Sequence, residues 1–350
     1  LAVAGPWKDD PWAAIRGLKT ERRQLRPATY FLQSTENAKK LLGNQATDED
    51  SNPFRRPSLP NGRADNDTLH IGVVRIGGKG DDLMTAATLT ALKRRFPKSH
   101  ITLFARDNTG QLAGHPAIDR LVFGGNELWR EIARDARSRF DVFIDLAYVP
   151  KLWVFRPDPE LKQWEREWRE RFEPLSWYYW NFPASNARIG ELGKNLILLA
   201  NEVLGLEGSL EDVKMHLGPK DRTFAAVIKQ LSRGYIVIHN GSACGRQTKN
   251  WPTERWNEIA AWLVTLGKVV VQIGTANEEY VDGCLDLRGL TTVTEMAGVI
   301  EGAALLLDTE GGPVHIAAAV GTKAVVLFGP TPASCFGYPG HTWVEAKVPC

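Results

Sequence analysis

A chain of 350 residues, 43% hydrophobic and 24% charged, has room for two domains of ordinary size and the composition of a globular protein. Its net charge of +2 lacks the strongly basic footprint of a nucleic-acid-binding protein, and no apolar run approaches the ~18 residues of a membrane span. No basic stretch followed by an apolar core marks a secretory signal, and four scattered cysteines (Cys244, Cys284, Cys335 and Cys350) predict a reducing, cytoplasmic setting rather than a disulfide framework.

Residues 1–68 read as an appendage. Arg16 to Asn44 has helical character, and Asp48 to Asp67 is rich in Asp, Asn, Pro, Ser, Gly and Arg, the composition of a linker. From Leu69 strands and helices alternate, which predicts parallel sheets with right-handed crossovers. A buried strand over Leu69–Ile76 is followed by a helix over Asp82–Phe96, with Lys93, Arg94 and Arg95 in its last turn and Pro97 beyond it. Strands are predicted at Ile101–Phe104, Arg120–Phe123 and Asp141–Asp145, with a helix over Glu127–Arg137 between the last two.

Residues 150–185 break this rhythm with charge and aromatic rings; five of the chain's 12 tryptophans fall between Trp153 and Trp180. Trp164 and Trp168 share a helix face. Core packing, an interfacial belt and a stacking platform for an anionic acceptor are the competing readings of these rings, core packing being favoured for most. A helix over Asn195–Leu204 and a connector over Gly205–Arg222 follow. The alternation resumes with strands at Tyr235–His239, Lys268–Ile273, Ala303–Leu307 and Lys323–Phe328. Helices are predicted over Pro252–Leu266, burying Trp256, Ile259, Leu263 and Leu266, over Thr294–Gly302 and over Pro313–Val320. The resulting division is an appendage over 1–68, a first Rossmann-like domain over 69–205 and a second over 206–350.

Chemistry concentrates in three polar turns. In Arg75-Ile-Gly-Gly-Lys-Gly-Asp-Asp, residues Gly77, Gly78 and Gly80 let the backbone come close to a ligand without Cβ interference, and with Lys79 they form a candidate acceptor-side loop. Their spacing matches neither the dinucleotide fingerprint nor the P-loop, which argues against a NAD-dependent dehydrogenase. Asp81, at the mouth of the following helix, suits either a general base for an acceptor hydroxyl or a helix cap. In Glu310-Gly-Gly-Pro-Val-His, free amides at Gly311 and Gly312 open onto a helix start, as a pyrophosphate site requires, with Glu310 beside it for a sugar hydroxyl. His315 is either a ligand there or a satisfied half-buried histidine. Between these turns, His239-Asn-Gly-Ser-Ala-Cys-Gly-Arg-Gln-Thr-Lys lies beyond a strand; Ser242 can donate to a phosphate and Lys249 neutralise it, or Lys249 is a solvated loop lysine.

Taken in order, Val73-Val-Arg-Ile-Gly-Gly-Lys-Gly-Asp-Asp, Lys249-Asn-Trp-Pro-Thr-Glu-Arg-Trp, Gly312-Pro-Val-His-Ile-Ala-Ala-Ala-Val-Gly-Thr and Phe328-Gly-Pro-Thr resemble the motifs of glycosyltransferase family 9, the bacterial ADP-heptose heptosyltransferases. The likeness covers Leu69 to Thr331. It implies an α/β GT-B fold, with two Rossmann-like domains facing a cleft, and inverting, metal-independent transfer from ADP-heptose to a hydroxyl of lipopolysaccharide core or of a protein. Asp81 falls on the family's catalytic base, Lys249 on the lysine at the donor phosphates and Ser242 on a neighbouring hydroxyl. Glu278 falls on the acid that holds the nucleoside, Leu290 and Thr291 on the adenine-lining segment, and Gly311, Gly312 and His315 on the pyrophosphate turn. Two positions depart from the pattern: Glu310 stands where the family usually has Asp, and Gly311 where it has Ser or Thr.

Phe336-Gly-Tyr-Pro-Gly is similar to a subgroup that heptosylates adhesin proteins and binds a structural metal through cysteines. Iron or zinc of that kind requires cysteines beyond Cys350, and no metal is expected in catalysis. The expected partners are a nucleotide sugar and a glycolipid or protein acceptor, with no nucleic acid and at most peripheral contact with the inner membrane. Competing functions are transfer from another nucleotide sugar and non-catalytic nucleotide-sugar binding.

Overall fold

The computed structural model describes residues 68–75, 77–106, 110–123, 132, 136–146, 150–176, 192–232, 234–241 and 249–345. The chain divides into two units, Leu1–Arg63 and Ala64–Cys350, and everything described below belongs to the second. The predicted appendage and most of the helix expected over Glu127–Arg137 lie outside the described residues.

Runs of β-branched and aliphatic residues, buried on both faces, build two sheets. The first contains β1 (Leu69–Arg75), β2 (Ser99–Ala105), β3 (Arg120–Phe123), β4 (Val142–Asp145) and β5 (Lys151–Val154), in the order β3-β2-β1-β4-β5. Its first four strands are parallel and β5 runs antiparallel to β4. The second contains β6 (Ile236–His239), β7 (Val270–Gln272), β8 (Leu285–Asp286), β9 (Leu305–Thr309), β10 (Ala324–Phe328) and β11 (Thr342–Glu345). All six are parallel, in the order β11-β10-β9-β6-β7-β8. In both sheets the strand order reverses beside the first strand, so a crevice opens at the carboxyl ends of β1 and β4 and of β6 and β9.

Helix α1 (Lys79–Arg95) follows β1, with acids in its first turn and Lys93, Arg94 and Arg95 in its last, matching the helix dipole. The stretch expected to break the rhythm instead supplies β5 and helix α2 (Pro159–Phe172), started by Asp158, whose carboxylate accepts from the Glu160 and Leu161 amides at 2.9 and 3.0 Å. Only Leu161 and Trp164 of α2 are buried, so no broad apolar face announced it. Trp164 packs at 5.3 Å from Phe96 and donates to the Leu204 carbonyl at 2.5 Å, while Arg95 stacks over its ring at 4.7 Å. Core packing therefore accounts for Trp164; Trp177 and Trp180 lie outside the described residues.

Helix α3 (Leu196–Leu204) is capped by Asn195 and stopped by Gly205. The connector carries two 3-10 turns and runs into α4 (Thr223–Leu231). Helices α5 (Thr253–Thr265), α6 (Val293–Glu301), α7 (Gly312–Val320) and α8 (Ala333–Phe336) complete the second half. Trp256 and Leu263 of α5 pack with Ile236, Ile238 and Val270, as the periodicity predicts. Leu266 does not. It is the C-cap of α5, at the turn leading into β7, and is 54% exposed.

Candidate active site

At the first turn the chain leaves β1 at Arg75 and starts α1 four residues later, at Lys79. The Asp81 carboxylate folds back over this turn. Its Oδ2 accepts from the Gly78 amide at 2.6 Å, capping the first turn of the helix, and its Oδ1 accepts from Arg75 Nη2 at 2.5 Å. Arg75 Nη1 donates to the Leu146 carbonyl just beyond β4, so one guanidinium ties both central strands to the carboxylate. A Cβ at residue 77 would lie 2.6 Å from Asp81 Cβ, so only glycine lets the acid fold back. Both sequence readings of Asp81 thus describe the same geometry: it caps the helix and keeps 36% of its side chain exposed. Burial pushes its pKa up, but Arg75, the Gly78 amide and His315 outweigh this and hold it below the usual carboxylate value. Lys79 is exposed beside it.

The second turn leaves β9 at Thr309. Gly311 occupies the N-cap of α7 without a side-chain cap, Pro313 has no amide hydrogen, and the amides of Gly311 and Gly312 have no partner among the described residues. Glu310 is buried and paired with Lys249 Nζ, so the residue that departs from the family's Asp reaches the lysine expected at the donor phosphates. His315 is buried, and its Nδ1 meets the Tyr338 hydroxyl at 2.8 Å. Burial lowers its pKa, which keeps the ring neutral near pH 7.

The two turns meet. A Cβ at residue 80 would fall 2.4 Å from Cδ2 of His315 and 3.3 Å from Cα of Gly312, so glycine at this position permits the abutment of α1 on α7. Asp81, Arg75, Glu310 and Lys249 all act electrostatically on His315, which puts carboxylate, cation and helix amides in one constellation.

A third group lies at the carboxyl ends of β6 and β9, where His239 and Asp308 stand opposite each other in register. His239 Nδ1 meets Asp308 Oδ1 at 2.7 Å, and its Nε2 lies 3.5 Å from Glu278 Oε2. Burial alone would strip the imidazole of its proton; Asp308 and Glu278 instead raise its pKa to about 10. Glu278 packs against Gly241 and Gly274 and accepts from Thr275 Oγ1 at 3.0 Å. The predicted nucleoside acid is therefore held beside the switch point of the second sheet. Leu290 is buried and Thr291 half-buried in the segment leading into α6, whereas Ser242 lies outside the described residues.

Arg75, His239, Asp308 and Tyr338 were not singled out from sequence. A polar residue at the end of each central strand was the available signal for His239 and Asp308; Tyr338 meets His315 only through a contact spanning 23 residues.

This architecture is that of a GT-B fold, with two Rossmann-like halves. The model of glycosyltransferase family 9 (heptosyltransferase) matches residues 157–344, more than half of the chain, and the protein belongs to that family of glycosyltransferases. It is 21% identical over 306 residues to lipopolysaccharide heptosyltransferase 1 of Salmonella typhimurium, covering 80% of this chain and 95% of that protein. Among solved structures, a family 9 glycosyl transferase from Veillonella parvula superposes with a TM-score of 0.58 at 20% identity, over 81% of this chain and 88% of that one. The ADP-heptose lps heptosyltransferase II of E. coli superposes with a TM-score of 0.53 at 18% identity, over 80% and 91%. Both share the fold. Among the described residues no helix is long and apolar enough to cross a membrane.

Proposed function

We propose that this protein transfers heptose from ADP-heptose, with inversion, to a hydroxyl of lipopolysaccharide core or of a protein. The observation that carries this reading is the abutment of the two turns at Gly80, which sets the Asp81 carboxylate beside the uncapped start of α7. In this scheme the donor diphosphate lies on the Gly311 and Gly312 amides, with His315 and Lys249 beside it. Ser242 stands near the phosphates, Glu278 meets the nucleoside, Leu290 and Thr291 line the adenine, and Glu310 meets the sugar. The acceptor hydroxyl enters over Gly77, Gly78, Lys79 and Gly80. Its oxygen bonds to the anomeric carbon, its proton passes to Asp81, and the bond from that carbon to the diphosphate oxygen breaks. Charge gathering on the departing ADP is met by Lys249 and the helix amides. Division of the roles between two halves excludes water from the donor when they close.

The heptose class is supported by the family match, and the ADP donor by the name of the E. coli neighbour. The test is Asp81→Asn, which keeps the side-chain shape. Product mass measured with ADP-heptose and either acceptor class is expected to show transfer reduced about 10³-fold, with ADP affinity by calorimetry retained. Undiminished transfer by Asp81→Asn, or preference of the wild-type protein for UDP-sugars over ADP-heptose, would overturn the reading.

A further inference from the structure

His315 and Tyr338 are both buried, with ring centroids 5.6 Å apart and planes crossing at 76°. Their one hydrogen bond joins His315 Nδ1 and the Tyr338 hydroxyl at 2.8 Å. The loop carrying Tyr338 is anchored on both sides. Asn195 Nδ2, from the N-cap of α3, donates to the Gly337 carbonyl at 2.9 Å, and the Ala333 amide donates to Glu345 Oε1 at 2.7 Å. The other edge of the His315 ring faces α1: a Cβ at residue 80 would be 3.2 Å from Nε2.

On the diphosphate reading of the α7 turn given above, we propose that Tyr338 is a positioning residue that holds His315 in its Nε2–H tautomer. His315 then serves as a neutral hydrogen-bond donor to the donor diphosphate.

Hydrogen-bond accounting leads to this assignment. Burial favours the uncharged imidazole and the protonated phenol, so one hydrogen is shared between Nδ1 and the hydroxyl. If Nδ1 carried it, the phenol hydrogen would need a second acceptor, and among the described residues Tyr338 has none. If the phenol donates, Nδ1 is satisfied and the ring hydrogen sits on Nε2, beside Gly80 and the open amides of α7. The opposite tautomer would turn a lone pair toward the phosphate oxygens and repel them. The groups acting on the ring are Glu310 and Asp81, which favour its protonation, and Lys249, Arg75 and His341, which oppose it, with Phe336 packed edge-on at 6.1 Å. Tyr338 thereby sets the polarity of a contact it does not itself make.

Long-range proton–nitrogen correlation spectra of the 15N-labelled, unliganded wild-type protein report the tautomer, with His315→Gln identifying the signal among seven histidines. The expected result is a bare Nδ1 and a protonated Nε2. Tyr338→Phe keeps the ring and removes the hydroxyl; it should shift this signal toward a mixture and weaken ADP binding about fivefold. The same substitution in a His315→Gln background should add nothing to the loss. A protonated Nδ1 in the wild-type protein overturns the proposal, as does equal weakening by Tyr338→Phe in both backgrounds, which would mark a purely structural tyrosine. If His315→Gln binds ADP as tightly as wild type, the diphosphate reading falls first and takes this proposal with it, whatever the tautomer.

Discussion

The two strand-to-helix turns look alike in sequence, both rich in glycine and both opening a helix, yet they present opposite electrostatics. At the start of α1 the Gly78 amide is taken by Asp81, an ionised carboxylate that Arg75 also grips. At the start of α7 the Gly311 and Gly312 amides have no partner among the described residues, and the nearby acid Glu310 is neutralised by Lys249. A helix start that already carries its own anion repels a second, whereas an uncapped one attracts it. The comparison teaches that glycine content marks a place of close approach, while the placement of the nearest acid decides whether that place suits a proton or a phosphate.

The sharpest way to break this pairing is to push the turns apart. Gly80→Ala adds a Cβ that would lie 2.4 Å from a His315 ring itself held by Tyr338, so neither side can yield cheaply. Misplacement of roughly 1 Å at a reacting pair costs about 10²-fold. Gly80→Ala is therefore expected to lower kcat/KM by about that factor, with a small change in Tm, as read by steady-state transfer and thermal melts. Wild-type kinetics in a folded Gly80→Ala variant would mean that the two turns do not act together.

How much of this was legible in the chain follows from what each feature depends on. Strands such as β1 and β6 are continuous apolar runs, and α7 carries its own start in Gly311-Gly312-Pro313 and its own stop in Gly321, so both were found from local pattern. Helix α2 was legible only as a face shared by Trp164 and Trp168, without bounds, because only two of its 14 residues are buried. Asp81, Lys249, Gly312 and His315 stood out because glycine, proline and charge cluster around them. Their partners did not: Arg75 reaches Leu146 across 71 residues, Lys249 reaches Glu310 across 61, and His239 reaches Asp308 across 69. Such pairs are set by parallel strands placing distant residues side by side, which no window of sequence contains. The fold was thus readable from periodicity, and the candidate residues from turn chemistry; the contacts among them required the sheet order.

A second test addresses the neutralised acid of the α7 turn. Lys249 and Glu310 are 14% and 7% exposed, and removing one partner of a buried pair leaves the other uncompensated. Lys249→Met is expected to weaken ADP binding about 20-fold, through loss of one charge-assisted contact. Stability should fall as well, by roughly 3 kcal/mol in denaturant titrations. The double variant Lys249→Met/Glu310→Gln separates the two effects. It should recover much of the stability and none of the binding; recovery of both would assign Lys249 to folding alone.

The mildest test concerns Arg75 and is read in pH. Burial raises the Asp81 pKa, and Arg75 heads the list of groups that overcome this and depress it. Removing the guanidinium must therefore move that pKa upward. A base acts when ionised, so kcat/KM falls on the acid side as Asp81 takes up its proton. For Arg75→Gln the acid limb should shift to higher pH than in wild type. Stability carries the same sign. A carboxylate with a depressed folded pKa contributes stability above its unfolded value near 3.8, and loses it as pH falls through the lower, folded one; Arg75→Gln should lack that contribution. At neutral pH a stronger base opposes a less firmly oriented one, which keeps the change in rate below roughly tenfold. Rate profiles of the two proteins across the acid range give the answer. A limb that stays in place would show that Arg75 does not tune Asp81, and that the contrast between the turns rests on the second alone.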